Sequence, residues 1–149
     1  MRAATPGDDA FVAGLVPRFV EHGVAGGHTR DEVIDGTRRV LADAIRAARP
    51  GELFLIAETA SGERAGFVYA VTERDFFTGE AYVHVSEIAV ARSGEGVGTA
   101  LMAAVESWAR ERGCRRVTLN VVDENRAGQR LYERLGFGLA HHQYIKHVR

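Results

Sequence analysis

The sequence predicts an α/β fold built on a mixed sheet, and three observations carry that reading. Residues 83–91 (Val-His-Val-Ser-Glu-Ile-Ala-Val-Ala) form an apolar strand that runs into a turn holding Gly94, Gly96 and Gly98. A helix follows at once, with Leu101, Met102, Val105 and Trp108 on one face. A second strand-to-helix passage comes after it: residues 116–122 are apolar, and Asp123-Glu124-Asn125 opens another helix. Ahead of both, residues 53–59 and 65–71 flank Ala60-Ser61-Gly62-Glu63-Arg64, which reads as a hairpin loop.

The remaining elements follow in chain order. Residues 1–5 form a short candidate edge strand ended by Pro6-Gly7, and Asp8 or Asp9 can cap the next helix. Phe11, Val12, Leu15, Phe19 and Val20 make its apolar stripe, and Pro17 should kink or split it because proline lacks an N–H and clashes one turn back. Thr29-Arg30-Asp31-Glu32 is a capping box. The helix it opens places Val33, Thr37, Val40, Leu41, Ala44 and Ile45 on one face, and Arg49-Pro50-Gly51 ends it. Residues 75–80 form a second connection, with the adjacent aromatics Phe76 and Phe77. The helix after the glycine turn should stop at Gly113, and the last helix at Gly136. Residues 138–147, carrying Leu139, Tyr144 and Ile145, read as a closing strand.

Length and composition narrow the function classes. With 149 residues, 46% apolar and 26% charged, the chain reads as one domain of ordinary size with a real core, spanning 1–149. A net charge of −1 gives no electrostatic case for nucleic acid or an acidic membrane surface. Lys146 is the only lysine, and the scattered arginines read as a solvated surface. Cys114 is the only cysteine, which excludes an intrachain disulfide and reads as a structural thiol. No stretch is long and apolar enough to span a membrane and no signal h-region is seen, so the cytoplasm is the expected compartment. The six histidines are scattered, and no metal site is expected.

The glycine turn is the strongest local signal. The first N–H groups of a helix have no partner inside it, and the helix dipole puts partial positive charge there. Glycines let an anion approach the backbone closely, so residues 94–99 read as a pyrophosphate cradle. The loop is not a Walker A loop, since Gly98 is followed by Thr99 and Ala100 instead of Lys. The spacing Gly94-x-Gly96-x-Gly98 also misses the dinucleotide fingerprint.

Together with a later segment, the cradle resembles the GCN5-related N-acetyltransferase (GNAT) superfamily. Its acetyl-CoA loop reads (Gln/Arg)-x-x-Gly-x-(Gly/Ala), matched here by Gly96 and Gly98. Its later segment reads Leu-x-Val-x-x-x-Asn-x-x-Ala-x-x-Leu-Tyr-x-x-x-Gly-Phe. Leu119, Val121, Asn125, Leu131, Tyr132, Gly136 and Phe137 fit it, with Gly128 in place of Ala. The resemblance covers about residues 82–137. It implies the GNAT fold: a mixed, mostly antiparallel sheet of six to seven strands, about four flanking helices, and a splayed parallel strand pair at the acetyl-CoA site. It implies transfer of an acetyl group from acetyl-CoA to a primary amine by direct attack, with no metal. A small-molecule amine is the expected acceptor. A protein N-terminus or lysine is the rival within enzymes, and a CoA-binding partner module without turnover is the rival of another class. A homodimer is an expectation from the family alone.

The resemblance also distributes roles. Ile88, Ala89 and Val90 would offer backbone hydrogen bonds to pantetheine and the thioester, with Ser93, Gly94, Glu95, Gly96, Val97, Gly98 and Thr99 around the pyrophosphate. Asn125 would contact the pantetheine or an ordered water, and Tyr132 would protonate the leaving thiolate. The base is open between Glu87, His84 and a water chain. An ionised carboxylate in an apolar strand is costly to bury, which favours a role for Glu87, as base or as anchor of a cationic amine. His84 has a suitable ordinary pKa, yet along an unbroken strand it points to the face opposite Glu87; a bulge would change that parity. Asn120 stands where ribosomal-protein N-terminal acetyltransferases carry a base Glu, so it could hold the amine only by a hydrogen bond. Phe76 and Phe77 either cover a sheet edge or wall the acceptor pocket. Ser93 replaces the usual Gln or Arg of the cradle, with Arg92 beside it.

Overall fold

The computed structural model describes residues 1–148. Its strands are β1 (Arg2–Ala3), β2 (Glu52–Glu58), β3 (Arg64–Arg74), β4 (Ala81–Val90) and β5 (Val117–Leu119). Its α-helices are α1 (Asp9–Leu15), α2 (Arg30–Ala47), α3 (Val97–Glu111) and α4 (Arg126–Arg134). The strands lie in the order β1-β2-β3-β4-β5, antiparallel throughout except for the parallel pair β4 and β5.

Local chemistry sets the helix boundaries. Val16–Val20, with Pro17 near its start, continues α1 as a 3-10 helix, so the proline splits this segment as its missing N–H predicts. Thr29 accepts the Glu32 N–H at 3.2 Å and Glu32 accepts the Thr29 N–H at 2.8 Å, the reciprocal capping box read from the sequence. The helices then bury their apolar stripes on opposite faces of the sheet. Val12, Val16, Leu41, Ala44 and Ile45 pack on Ile56, Phe67, Tyr69 and Ala89. On the other face, Leu101, Met102, Val105 and Ala109 of α3 pack on Ala57, Val68, Ala70, Val83 and Val85, with Cys114 buried in the same cluster. Val40 departs from its expected place in the α2 stripe and is 53% exposed.

Two sequence expectations are corrected here. The described residues form five strands, not six to seven, and residues 138–148 form no strand. His141, His142, Gln143, Lys146 and His147 break up any apolar face. Leu139, Tyr144 and Val148 are left 78%, 92% and 86% exposed. The segment instead passes Gly26 and Gly27, where a Cβ would come within 3.0 and 2.9 Å of Ile145. The second correction concerns β5, expected over 116–122 and paired only over 117–119. Pairing ends opposite Val85, and β4 has one extra residue immediately afterwards. Tyr69 of β3 faces Glu87 and Ala70 faces Val85, which leaves Ser86 without a partner. This bulge bends β4, and the two parallel strands diverge beyond it.

Several arginines read as solvated surface in fact tie elements together. Asp8, fully buried in the 3-10 turn Pro6–Asp8, accepts two hydrogen bonds from Arg2 at 2.8 Å, one from Arg64 at 2.7 Å and one from the Thr5 N–H at 2.8 Å. This cluster fastens β1 and β3 to the start of α1. Its donors, with the Arg2 guanidinium foremost, hold the Asp8 carboxyl well below the usual carboxylate range.

Candidate active site

The site grows from the bulge in β4. In a regular strand, residues three apart point to opposite faces. The extra residue at Ser86 shifts the parity: Val83 and Val85 pack toward α3, as do Ile88 and Val90, whereas Ala89 joins the core under α2. His84 and Glu87 therefore share the face opposite α3. The His84 imidazole Nδ1 is 2.8 Å from the Thr118 hydroxyl, its neighbour across the β4–β5 pair. Glu87 makes no hydrogen bond among the described residues, and its burial alone pushes its carboxyl up to about 7. A half-buried carboxylic acid without a partner is an unusual arrangement for stability and a suitable one for proton transfer.

The second wall is α4. Asn125 caps this helix by accepting the Gly128 N–H at 2.9 Å. The Asn125 side chain lies so close that a Cβ at position 128 would come within 2.6 Å of Nδ2, so an alanine there would require the amide to shift. Asn125 and Tyr132 are seven residues apart and share a face of α4. The Tyr132 phenol is pushed above its ordinary pKa, chiefly by burial and then by the charge of Glu87. The latter effect couples the two groups across the diverging strands. The Tyr132 ring also packs edge-on against Phe137, centroids 5.9 Å apart.

The cradle has an open backbone. Gly94 (φ +84°) and Gly96 (φ +75°) adopt left-handed conformations that other residues rarely take, and nothing lies within 4 Å of a Cβ placed on either. Gly96 caps α3, and its carbonyl accepts the Ala100 N–H at 3.0 Å. The N–H groups of Val97, Gly98 and Thr99 find no acceptor among the described residues, so this turn fits an anion such as a diphosphate. Gly98 lies between Leu131 of α4 and Val90, at 3.6 and 3.9 Å from a Cβ built there. Ser93 and Glu95 lie on the exposed side of the turn, and Arg92 is engaged by Glu95 at 3.5 Å and Glu63 at 3.9 Å.

Between the cradle and Glu87 lies the free edge of β4. The Ala91 N–H goes to Ala65 of β3 at 2.8 Å. Alternation therefore turns the backbone groups of Ala89 toward β3 and those of Ile88 and Val90 toward the gap. Sequence reasoning missed what meets that edge. Arg18, from the 3-10 helix, donates through Nη1 to the carbonyls of Val90 and Ala91. Its signal was a lone cation in the apolar run Val16-Pro17-Arg18-Phe19-Val20. It also missed Gly66 on β3, where a Cβ would meet the Ala89 carbonyl at 2.7 Å and Val97 at 3.1 Å. The start of α3 can rest on the sheet only because Gly66 has no side chain.

Other residues named from the sequence fall elsewhere. Asn120 follows the last paired residue of β5 and is exposed. Phe76 and Phe77 are 92% and 88% exposed, so they do not cover a sheet edge. They sit on the tip of the β3–β4 hairpin, before β4 begins. Glu87 lies six residues beyond Ala81 on β4, about 20 Å at the usual rise. Asp75 fixes that tip by accepting the N–H groups of Phe77 and Thr78 at 2.9 Å and the Arg116 guanidinium at 2.6 Å. Among the described residues, no three His, Cys, Asp or Glu side chains stand together as a metal site would need. Nor is any helix long and apolar enough to cross a membrane.

Comparison with known proteins gives the arrangement its relatives. A mycothiol acetyltransferase of Salinispora tropica is 33% identical over 141 residues, which cover 92% of this chain and 44% of that protein. The chain thus spans less than half the length of this curated relative. A mutant of the BH1408 protein from Bacillus halodurans shares the fold with a TM-score of 0.79 at 16% identity, over 99% of this chain and 98% of that one. AAC(6')-Iy, in complex with the bisubstrate analog CoA-S-monomethyl-acetylneamine, shares it with a TM-score of 0.70 at 23% identity, over 99% and 96%. The sequence model of the Acetyltransferase (GNAT) family matches residues 26–137. With the splayed β4–β5 pair and the glycine cradle, that match over most of its length makes this chain a member of the acetyltransferase (GNAT) family.

Proposed function

We propose that this protein transfers an acetyl group from acetyl-CoA to a primary amine of a small molecule. The observation that carries this reading is Glu87, a carboxyl without a partner, raised by burial to about 7 and facing Tyr132 beside the free edge of β4. Family membership supports acetyl-CoA as the donor. Support for a small acceptor comes from a relative named for mycothiol and a fold neighbour solved with an acetylneamine analogue of CoA.

The chemistry follows from the residues. Acetyl-CoA is the acyl-donating substrate, its diphosphate on the N–H groups of Val97, Gly98 and Thr99 and its pantetheine along Ile88 and the N–H of Val90, whose carbonyl is held by Arg18. Near neutral pH about half of Glu87 is ionised and can take a proton. The amine nitrogen attacks the thioester carbonyl carbon and gives its proton to the Glu87 carboxylate, directly or through a water. Charge that develops on the carbonyl oxygen is met by a backbone N–H on the free edge of β4. The C–S bond breaks with its electrons on sulfur, and the Tyr132 hydroxyl donates a proton to the thiolate. Burial favours that role, because it keeps the phenol protonated. Glu87 gives its proton to solvent, solvent restores the tyrosine proton, and the products are the N-acetylated amine and free CoA.

The test is thiol release from acetyl-CoA across a panel of small amines, with Glu87→Gln as control. Amine-dependent release by the wild type, reduced in the variant, supports the reading. Release only with peptide amines would move the acceptor to proteins, and binding of CoA without any release would make the protein a partner module.

A further inference from the structure

The cradle lacks a cation of its own. Ser93 stands where the family pattern has Gln or Arg, and the adjacent Arg92 is 69% exposed and drawn toward Glu63 and Glu95. Arg18 enters the same junction from the opposite side of the sheet. Its Nη1 bridges the carbonyls of Val90 and Ala91, the last residues before the cradle. Val90 itself lies against the first turn of α3, 3.9 Å from a Cβ built on Gly98. Of the rest of the guanidinium, Nη2 has no partner among the described residues, and Nε stands 3.6 Å from the exposed Glu21 carboxylate, an ion pair at the distance of those that Arg92 makes. The side chain is one-third exposed, so solvent or a ligand reaches it. A planar guanidinium fixed along one edge presents its other N–H groups in a set direction, the geometry that suits paired anionic oxygens.

We infer that Arg18 supplies the missing cation: it binds the diphosphate of the CoA substrate and holds the strand end beneath it. This rests on the acetyl-CoA reading given above. The two carbonyls orient the guanidinium, and the helix N–H groups of Val97, Gly98 and Thr99 complete the anion site from the α3 side. Specificity for a phosphate-bearing donor then comes from a residue distant in sequence from the glycine loop.

The test measures binding of CoA, dephospho-CoA and pantetheine to the full chain. Titration serves the first two, and ligand-observed NMR, which reads millimolar binders, serves pantetheine. Wild type, Arg18→Gln, Arg18→Lys and Arg92→Gln are compared, with thermal unfolding as the check that each is folded. Arg18→Gln should weaken CoA and dephospho-CoA alike by about tenfold, the size of one charge-assisted hydrogen bond, and leave pantetheine unchanged. Arg18→Lys should recover part of that loss, and Arg92→Gln should have the smaller effect. Equal weakening of pantetheine would overturn the proposal and reduce Arg18 to strand support. Tighter binding of all three ligands would make it an obstruction instead, and unchanged binding would also overturn it. A wild type that binds no CoA would remove the donor reading itself, an outcome distinct from all of these.

Discussion

Asp8 and Glu87 are two carboxylates withdrawn from solvent on one small sheet, and they behave oppositely. Asp8 is fully buried and surrounded by donors: Arg2 twice, Arg64, and the Thr5 N–H. Its carboxyl stays charged far below the usual range. Glu87 is less deeply buried, has no such donor, and rises to about 7. Burial alone therefore does not mark a functional acid. The partners decide, because hydrogen bonds to the charged form outweigh desolvation at Asp8 and nothing opposes it at Glu87. One corner of the molecule uses a carboxylate to tie strands together, and the other leaves one without a partner.

Substitutions can break this contrast, and the largest effect is expected at Glu87. Glu87→Gln should lower kcat by about 1000-fold, as for loss of a general base, without loss of stability. Asp8→Asn should do the reverse. Breaking a buried pair costs about 3 kcal/mol, so the thermal midpoint should fall by roughly 6–12 °C while turnover per folded molecule holds. Tyr132→Phe should reduce kcat by about 100-fold, with little change in KM for acetyl-CoA. Gly66→Ala should cost roughly 2 kcal/mol as an overpacked contact and weaken CoA binding, because Val97 must move with the start of α3. The smallest effect is expected at the hairpin tip, where Phe76→Ser with Phe77→Ser should change stability by no more than about 0.5 kcal/mol.

The same contrast fixes the pH dependence. Asp8 has a depressed folded pKa, so its stabilisation is present above the ordinary aspartate range and is lost as pH falls below it. Glu87 has a raised one, so the folded state holds its proton more tightly than the unfolded state does. Stability therefore falls as pH rises from 4.5 toward about 7 and is flat above. A rise of that size corresponds to at most about 3 kcal/mol. Urea unfolding across pH 4–8 should show the neutral-range decline in the wild type and lose it in Glu87→Gln.

The sequence was most legible where the cause is local. Thr29 and Glu32 cap α2 by themselves, Pro17 splits its helix by lacking an N–H, and Gly94 and Gly96 take the left-handed backbone only glycine prefers. Features that depend on distant partners were not legible. Asp8 looked like a helix cap until Arg2 and Arg64 arrived from two strands. Arg18 and Gly66 matter through Val90, Ala89 and Val97, contacts that no spacing rule encodes. The parity of His84 and Glu87 depended on a bulge that appears only when β3 sets the register. Residues 138–148 carry apolar side chains but no alternation clean enough to fix a face, and they form no strand.

The most direct test is the protonation of Glu87 itself. With glutamate labelled with 13C at Cδ, the Glu87 carboxyl resonance is assigned by comparison with Glu87→Gln and followed through a pH titration of the free protein. This reading needs no knowledge of the acceptor. A midpoint near 7, moved further by Tyr132→Phe only slightly, is the expected result. A midpoint near the ordinary 4.5 would mean that solvent or a partner satisfies the carboxylate, and Glu87 would lose its place as the base.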